Sequence, residues 1–270
     1  MTEPTRPAQH GQSLETPETI ACLGSSTTAA KGTFKWIDEL AKRPQNSRFR
    51  FVNFGVGGDL SVNIAKRLDP VLRVAPDRVI VLIGTNDILA TVFPNFRRFT
   101  RAWKQISEEP SPARFKDNLE LIIRRLRQET SATIALSSLS PVGEALRSDH
   151  AVQARLNELV AAYNRIIGGV SHSSGAYYIP LYERFRDQLD GSVVAKPFTR
   201  FSFAAFYRDY LFREMILRRS FDEISQRNGW EFHIDGIHLN TRGGRILTEV
   251  VQQFLDSPSR EAAGGLGSRV

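Results

Sequence analysis

Apolar and polar positions follow two distinct rhythms along this chain. Five short runs are nearly continuous in apolar, aromatic or β-branched residues: 19–24 (TIACLG), 49–55 (FRFVNFG), 78–84 (RVIVLIG), 133–138 (TIALSS) and 176–182 (AYYIPLY). Each is punctuated by Gly, Ser or Pro, the pattern of short strands buried on both faces. Between them lie stretches with helical spacing, such as 62–74 and 154–167. In 115–130, Phe115, Leu119, Ile122 and Leu126 hold one helical face. Buried strands alternating with amphipathic helices predict an α/β fold, a mostly parallel five-stranded sheet covered on both sides. No repeat or mid-chain linker interrupts the pattern. One domain is expected over 18–256, between disordered tails at 1–17 and 257–270.

An open sheet of this kind gathers its functional groups beyond the carboxyl ends of the strands. Four polar clusters fall at such places: GSST (24–27), NFGVGGD (53–59), GTND (84–87) and IDGIHLN (234–240). Nucleophilic acyl transfer needs a hydroxyl, a base, a carboxylate that orients the base, and donors for an oxyanion. Ser26 offers the hydroxyl, His238 the base and Asp235, three residues earlier, the carboxylate. Gly58 offers a backbone N–H, and Asn86 a side-chain amide. Singly these are ordinary features. A Ser after Gly commonly caps a helix, and GVGGD has Leu60 where a dinucleotide fingerprint needs its last glycine. Their joint order, each at a strand end, selects the catalytic reading.

Together the four clusters resemble the sequence blocks of the SGNH (GDSL-type) hydrolase superfamily, over roughly residues 19–255. The resemblance implies a flavodoxin-like three-layer α/β/α sandwich and a carboxylesterase working through an acyl-enzyme. It makes Ser26 the nucleophile, His238 the general base and Asp235 its orienting acid. Ser26, Gly58 and Asn86 become the oxyanion hole. One departure stands out: the Asp that usually precedes the nucleophile is Ser25 here. The same residues would serve an acyltransferase, and a non-catalytic lipid- or partner-binding protein on this fold is the rival from another class.

Composition narrows the setting. Of 270 residues, 41% are hydrophobic and 24% charged, an ordinary globular mixture. The single cysteine, Cys22, lies inside the first apolar run and reads as core. The polar N-terminus lacks a signal-peptide apolar region, so a cytoplasmic protein is expected. A net charge of +7 admits anionic partners, but the basic residues are dispersed and no reading motif accompanies them, so nucleic acid is not expected. Arg124, Arg125 and Arg127 read as a solvated helix end. No His-Glu-x-x-His or paired-cysteine spacing points to a metal, and no cofactor is expected. The expected partner is a small-molecule ester, an acyl or lipid ester or an acetylated carbohydrate. His10, His150 and His172 read as tail or connection residues, and His233 as a strand end beside the Asp-His block.

Two segments exceed a minimal sandwich, about 89–112 and 187–232; both mix aromatics with arginines. The second carries a helical stripe of Phe203, Phe206, Tyr207, Tyr210 and Leu211. Three readings stay open for it: core packing, a cap over the active site, or a helix on a membrane surface. Under the cap reading Phe206 and Tyr210 touch the substrate. Arg97, beside Arg98 and Arg101, is a candidate for an anionic leaving group, with solvated surface as the alternative.

Overall fold

The computed structural model describes residues 16–190, 196–204 and 219–258. The five runs form one sheet: β1 (Glu18–Gly24), β2 (Phe49–Gly55), β3 (Arg78–Leu82), β4 (Thr133–Ser137) and β5 (Tyr177–Ile179). Its order is β2-β1-β3-β4-β5 and every pairing is parallel. This is the flavodoxin-like winding, with its reversal between β1 and β3. The GSST and GTND clusters therefore leave adjacent strands at the crevice where the winding changes direction.

The described helices are α1 (Ser26–Ala29), α2 (Trp36–Ala41), α3 (Ser61–Lys66), α4 (Asp69–Arg73), α5 (Thr85–Val92), α6 (Pro94–Lys104), α7 (Pro112–Glu129), α8 (Ala151–Ser174), α9 (Leu181–Leu189), α10 (Phe221–Asn228) and α11 (Thr241–Asp256). Helices α3, α5, α7 and α8 pack against one another, and α2, α9 and α11 form a separate group. With the sheet they make three layers. Their boundaries follow local chemistry. Ser111 caps α7 by accepting the Arg114 N–H at 3.2 Å, with Pro112 at the first helical position. The face predicted from spacing, Phe115, Leu119, Ile122 and Leu126, is wholly buried. Each such side chain contributes about 1.5–3 kcal/mol of transfer free energy. Cys22 is buried as expected, and burial pushes its thiol pKa well up.

The segment after GTND is helical: α6 carries Phe96, Phe99 and Trp103 together with Arg97, Arg98 and Arg101. The aromatic stripe from Phe206 to Leu211 in the second segment lies outside the described residues. Among the described residues no helix is long and apolar enough to cross a membrane.

At the amino end of the sheet, opposite the crevice, Arg78 is 1% exposed. Its guanidinium donates to the carbonyls of Phe254 (3.1 Å) and Ser257 (2.9 Å), and pairs with Glu18 at 3.0 Å. It thus ties β1, β3 and the end of α11. Replacing it takes the donor from the Ser257 carbonyl, while the Phe254 carbonyl keeps the Ser257 N–H and hydroxyl. Arg78→Met is expected to lower stability by about 1–3 kcal/mol, read as a lower urea midpoint, while the folded fraction keeps its ester hydrolysis.

Candidate active site

Ser26 opens α1 directly after β1, at a bend through Ser25. Ser25 is buried, and its side chain caps nothing at the helix start; its carbonyl accepts the Ala29 N–H at 2.9 Å. Asp235 and His238 sit on a tight loop closed by an isolated antiparallel bridge between His233 and Leu239. Gly236 makes this loop possible. Its φ is +90°, and a Cβ there would stand 2.7 Å from Phe198 and 2.8 Å from Trp230. The loop ends where Asn240 caps α11, accepting the Gly243 N–H at 3.0 Å.

The geometry brings these distant residues together. His238 Nε2 lies 3.0 Å from Ser26 Oγ, and His238 Nδ1 lies 2.8 Å from Asp235 Oδ2. The other Asp235 oxygen accepts the Ile237 and His238 N–H groups at 3.0 and 2.8 Å. For His238 burial is the largest effect and pulls the pKa down, but the charge and hydrogen bond of Asp235 together outweigh it, leaving the net shift upward. For Asp235 burial again leads, pushing up, and the combined pull of His238 and the two N–H groups leaves the carboxyl below its ordinary value.

Ser26, Gly58, Asn86 and His238 line one cleft of about 190 Å3. Gly58 sits at φ +76°, and the ring of Trp103 lies 2.8 Å from where its Cβ would be. A side chain there would be strained and crowded. Asn86 spends one amide N–H on the Asp59 carbonyl (2.9 Å), which fixes the amide and leaves its second N–H to be aimed elsewhere. Its neighbour Asp87 is buried, and burial raises its pKa to about 6 against the pull of the Ser61 hydroxyl and N–H.

Three supports were not read from the sequence. Asp59, almost wholly buried, pairs with Arg67 at 2.7 Å and Lys104 at 2.8 Å. Arg67 also donates to the Gly24 carbonyl at 3.2 Å. The glycine loop is thereby anchored to β1 and α6 at once. Thr33 Oγ1 and the Phe34 N–H both donate to the Leu239 carbonyl at 3.0 Å, joining the Ser26 segment to the His238 loop. Glu144, just beyond β4, accepts from the backbone N–H groups of Glu231 (2.8 Å), Phe232 (2.7 Å) and His233 (3.1 Å), and contacts His233 Nδ1 at 2.9 Å. Burial is the largest influence on Glu144 and raises its pKa, but His233 and the backbone donors jointly hold it below its ordinary value. His233, expected as a strand end, instead sits in an isolated bridge outside the strands and is a fully buried partner of Glu144. Position 144 carries no local motif that marks it.

Arg97 lies elsewhere. It pairs with Glu109 at 3.3 Å, as Arg101 does at 3.0 Å, and it is not among the residues lining the cleft. A carboxylate already meets this guanidinium, so the surface alternative describes it better than an anion site. Phe206 and Tyr210 lie outside the described residues.

Residues 22–197 match the model of the GDSL-like Lipase/Acylhydrolase family. The chain belongs to that family. It is therefore an ester-bond hydrolase, as the four sequence blocks implied. The matched stretch holds Ser26, Gly58 and Asn86 and stops short of Asp235 and His238. No curated protein matches the chain in sequence. Solved structures share the fold of this GDSL-like hydrolase at low identity. The acetylxylan esterase Axe2 from Geobacillus stearothermophilus is 14% identical, with a TM-score of 0.61 over 89% of this chain and 95% of its own. The acetyl xylan esterase AlAXEase is 18% identical, with a TM-score of 0.60 over 88% and 99%. LAE5, an α/β hydrolase enzyme from the metagenome of Lake Arreo, Spain, is 16% identical, with a TM-score of 0.58 over 87% and 94%. The catalytic mutants of Axe2 replace a serine, a histidine, and an aspartate three residues before that histidine.

Removing the Glu144 carboxylate would strand three N–H groups beside the His238 loop, those of Phe232 and His233 buried. Glu144→Ala is expected to cost about 3–5 kcal/mol in chemical denaturation and to lower ester hydrolysis in the protein that remains folded.

Proposed function

We propose that this chain is a serine hydrolase that cleaves carboxylic esters through an acyl-enzyme, with Ser26 as nucleophile, His238 as general base and Asp235 as its orienting acid. The observation that carries this reading is the continuous chain of contacts from Asp235 through His238 to Ser26, at 2.8 and 3.0 Å, opening into a cleft beside Gly58 and Asn86. The Ser, Asp and His replaced in the catalytic mutants of Axe2, with the same three-residue step from Asp to His, support it further.

The chemistry follows from the geometry. His238 Nε2 takes the Ser26 proton as Oγ attacks the ester carbonyl, while the ionised Asp235 holds Nδ1–H and stabilises the imidazolium. The oxygen of the tetrahedral intermediate is met by the Gly58 N–H, the free amide N–H of Asn86 and the Ser26 N–H. His238 then protonates the departing alcohol. Water, deprotonated by the same ring, releases the acid and restores Ser26.

Ser26→Ala and His238→Ala are each expected to abolish p-nitrophenyl ester hydrolysis while circular dichroism and Tm stay close to wild type. Rates like wild type in either variant would remove the mechanism. Labelling by a fluorophosphonate should likewise vanish in Ser26→Ala.

A second test uses pH. Neutral His238 is the active form, and its folded pKa is raised, so kcat/KM should fall with acidification through an apparent pKa above the ordinary histidine value of about 6.5. Asp235→Asn removes the opposing charge and leaves burial, so its residual activity should titrate at lower pH. Its turnover should drop on the order of 10^4-fold, as in serine proteases. An acid limb unmoved by that substitution would count against the assignment of His238.

A further inference from the structure

The cleft that opens at Ser26 has one polar end and one apolar wall. Leu89, Phe96, Phe99, Trp103, Phe201 and Phe203 make the wall. Its rings pack as a unit: Phe96 lies 4.8 Å from Phe201, while Phe99 lies 4.3 Å from Phe203 and 5.3 Å from Trp103. Asn95 donates to the Phe201 carbonyl at 3.1 Å, tying residues 196–204 to α6. The described polar groups on this side are few. Thr100 commits its hydroxyl proton to the Phe96 carbonyl at 3.0 Å, and Lys31 stands exposed at the mouth. A sugar ring set against this wall would give up hydrogen bonds to water and find almost no replacements.

The wall also has a direction. The donors Gly58 and Asn86 hold the carbonyl oxygen throughout the reaction. Leu89 follows Asn86 by about one turn on α5, and the Trp103 ring lies against Gly58. The wall is therefore continuous with the donors. By contrast the alcohol must depart past His238 Nε2, which protonates it. The substituent that stays with the oxyanion donors, and later on the acyl-enzyme, is the acyl group.

Resting on the serine-hydrolase reading, we infer that the cleft selects esters of an apolar acyl group, an alkyl chain or aryl ring, over acetyl esters of carbohydrates. Burying one methylene in the transition state raises kcat/KM about four-fold, from about 0.8 kcal/mol of transfer free energy.

The test measures kcat/KM for p-nitrophenyl acetate, butanoate and hexanoate, for acetates of lengthening alkyl alcohols, and for an acetylated xylo-oligosaccharide, each with Ser26→Ala as blank. Hexanoate exceeding acetate by at least about ten-fold, with little gain from a longer alcohol, supports the inference. Preference for the acetylated xylo-oligosaccharide, or a gain along the alcohol series alone, overturns it and leaves the serine mechanism standing. Hydrolysis that does not depend on Ser26 overturns both. Phe99→Ala and Phe203→Ala should each lower the hexanoate-to-acetate ratio at least about three-fold, roughly one lost methylene; an unchanged ratio in both counts against the wall. Should either variant fail to fold, alkylboronic acids of increasing length tested on the wild type read the same surface. Inhibition that tightens with each methylene supports the wall as the acyl site, and inhibition independent of length overturns it.

Discussion

The hydrogen bond between Ser26 and His238 joins groups 212 residues apart in the chain at 3.0 Å, and the rim of the molecule is organised around keeping it short. Reacting groups lose on the order of 100-fold in rate for a displacement of about 1 Å. Loops alone hold no such tolerance. Here each loop is tied to another: the Ser26 segment to Leu239 through Thr33 and Phe34, and the glycine loop to Gly24 and α6 through Arg67, Asp59 and Lys104.

Buried carboxylates are the knots in this network. An ionised carboxylate accepts several hydrogen bonds at once, so one residue can hold several strands of backbone. It can be buried only when those bonds are made. Glu144 meets three consecutive N–H groups and an imidazole, and Asp59 meets two cations. Asp87 has one partner residue, Ser61, where Glu144 also has the His233 ring. Burial accordingly lifts its pKa to about 6. The same physics sets the poise of His238, where the charge of Asp235 must overcome the cost of burial.

Arg78 and the cleft occupy opposite ends of the sheet. Arg78 binds β1, β3 and α11 together at the amino end, while the carboxyl ends carry the contact of Ser26 with His238 and the apolar wall. In a parallel sheet every strand points its last residue at the same rim. Of the wall, Leu89, Phe96 and Phe201 belong to the buried core, while Trp103 stands exposed.

All five strands, the buried face of α7 and the meeting of Ser26, Gly58, Asn86, Asp235 and His238 follow from patterns visible in the chain. Strand runs and helical faces are local periodicities, and a parallel sheet converts their order into a place for each cluster. Glu144 and the pairing of Asp59 with Lys104 had no such signal. Glu144 acts on Phe232 across 88 positions, and nothing near either residue encodes the other. Arg97 shows the converse: its aromatic and basic surroundings fit an anion site until folding set Glu109 beside it. Local sequence thus determined which segments became strands and helices and which reactive residues stood at their ends. Only tertiary structure decided which charges met, because a long flexible side chain takes its partner from whatever the completed fold brings within a few ångströms.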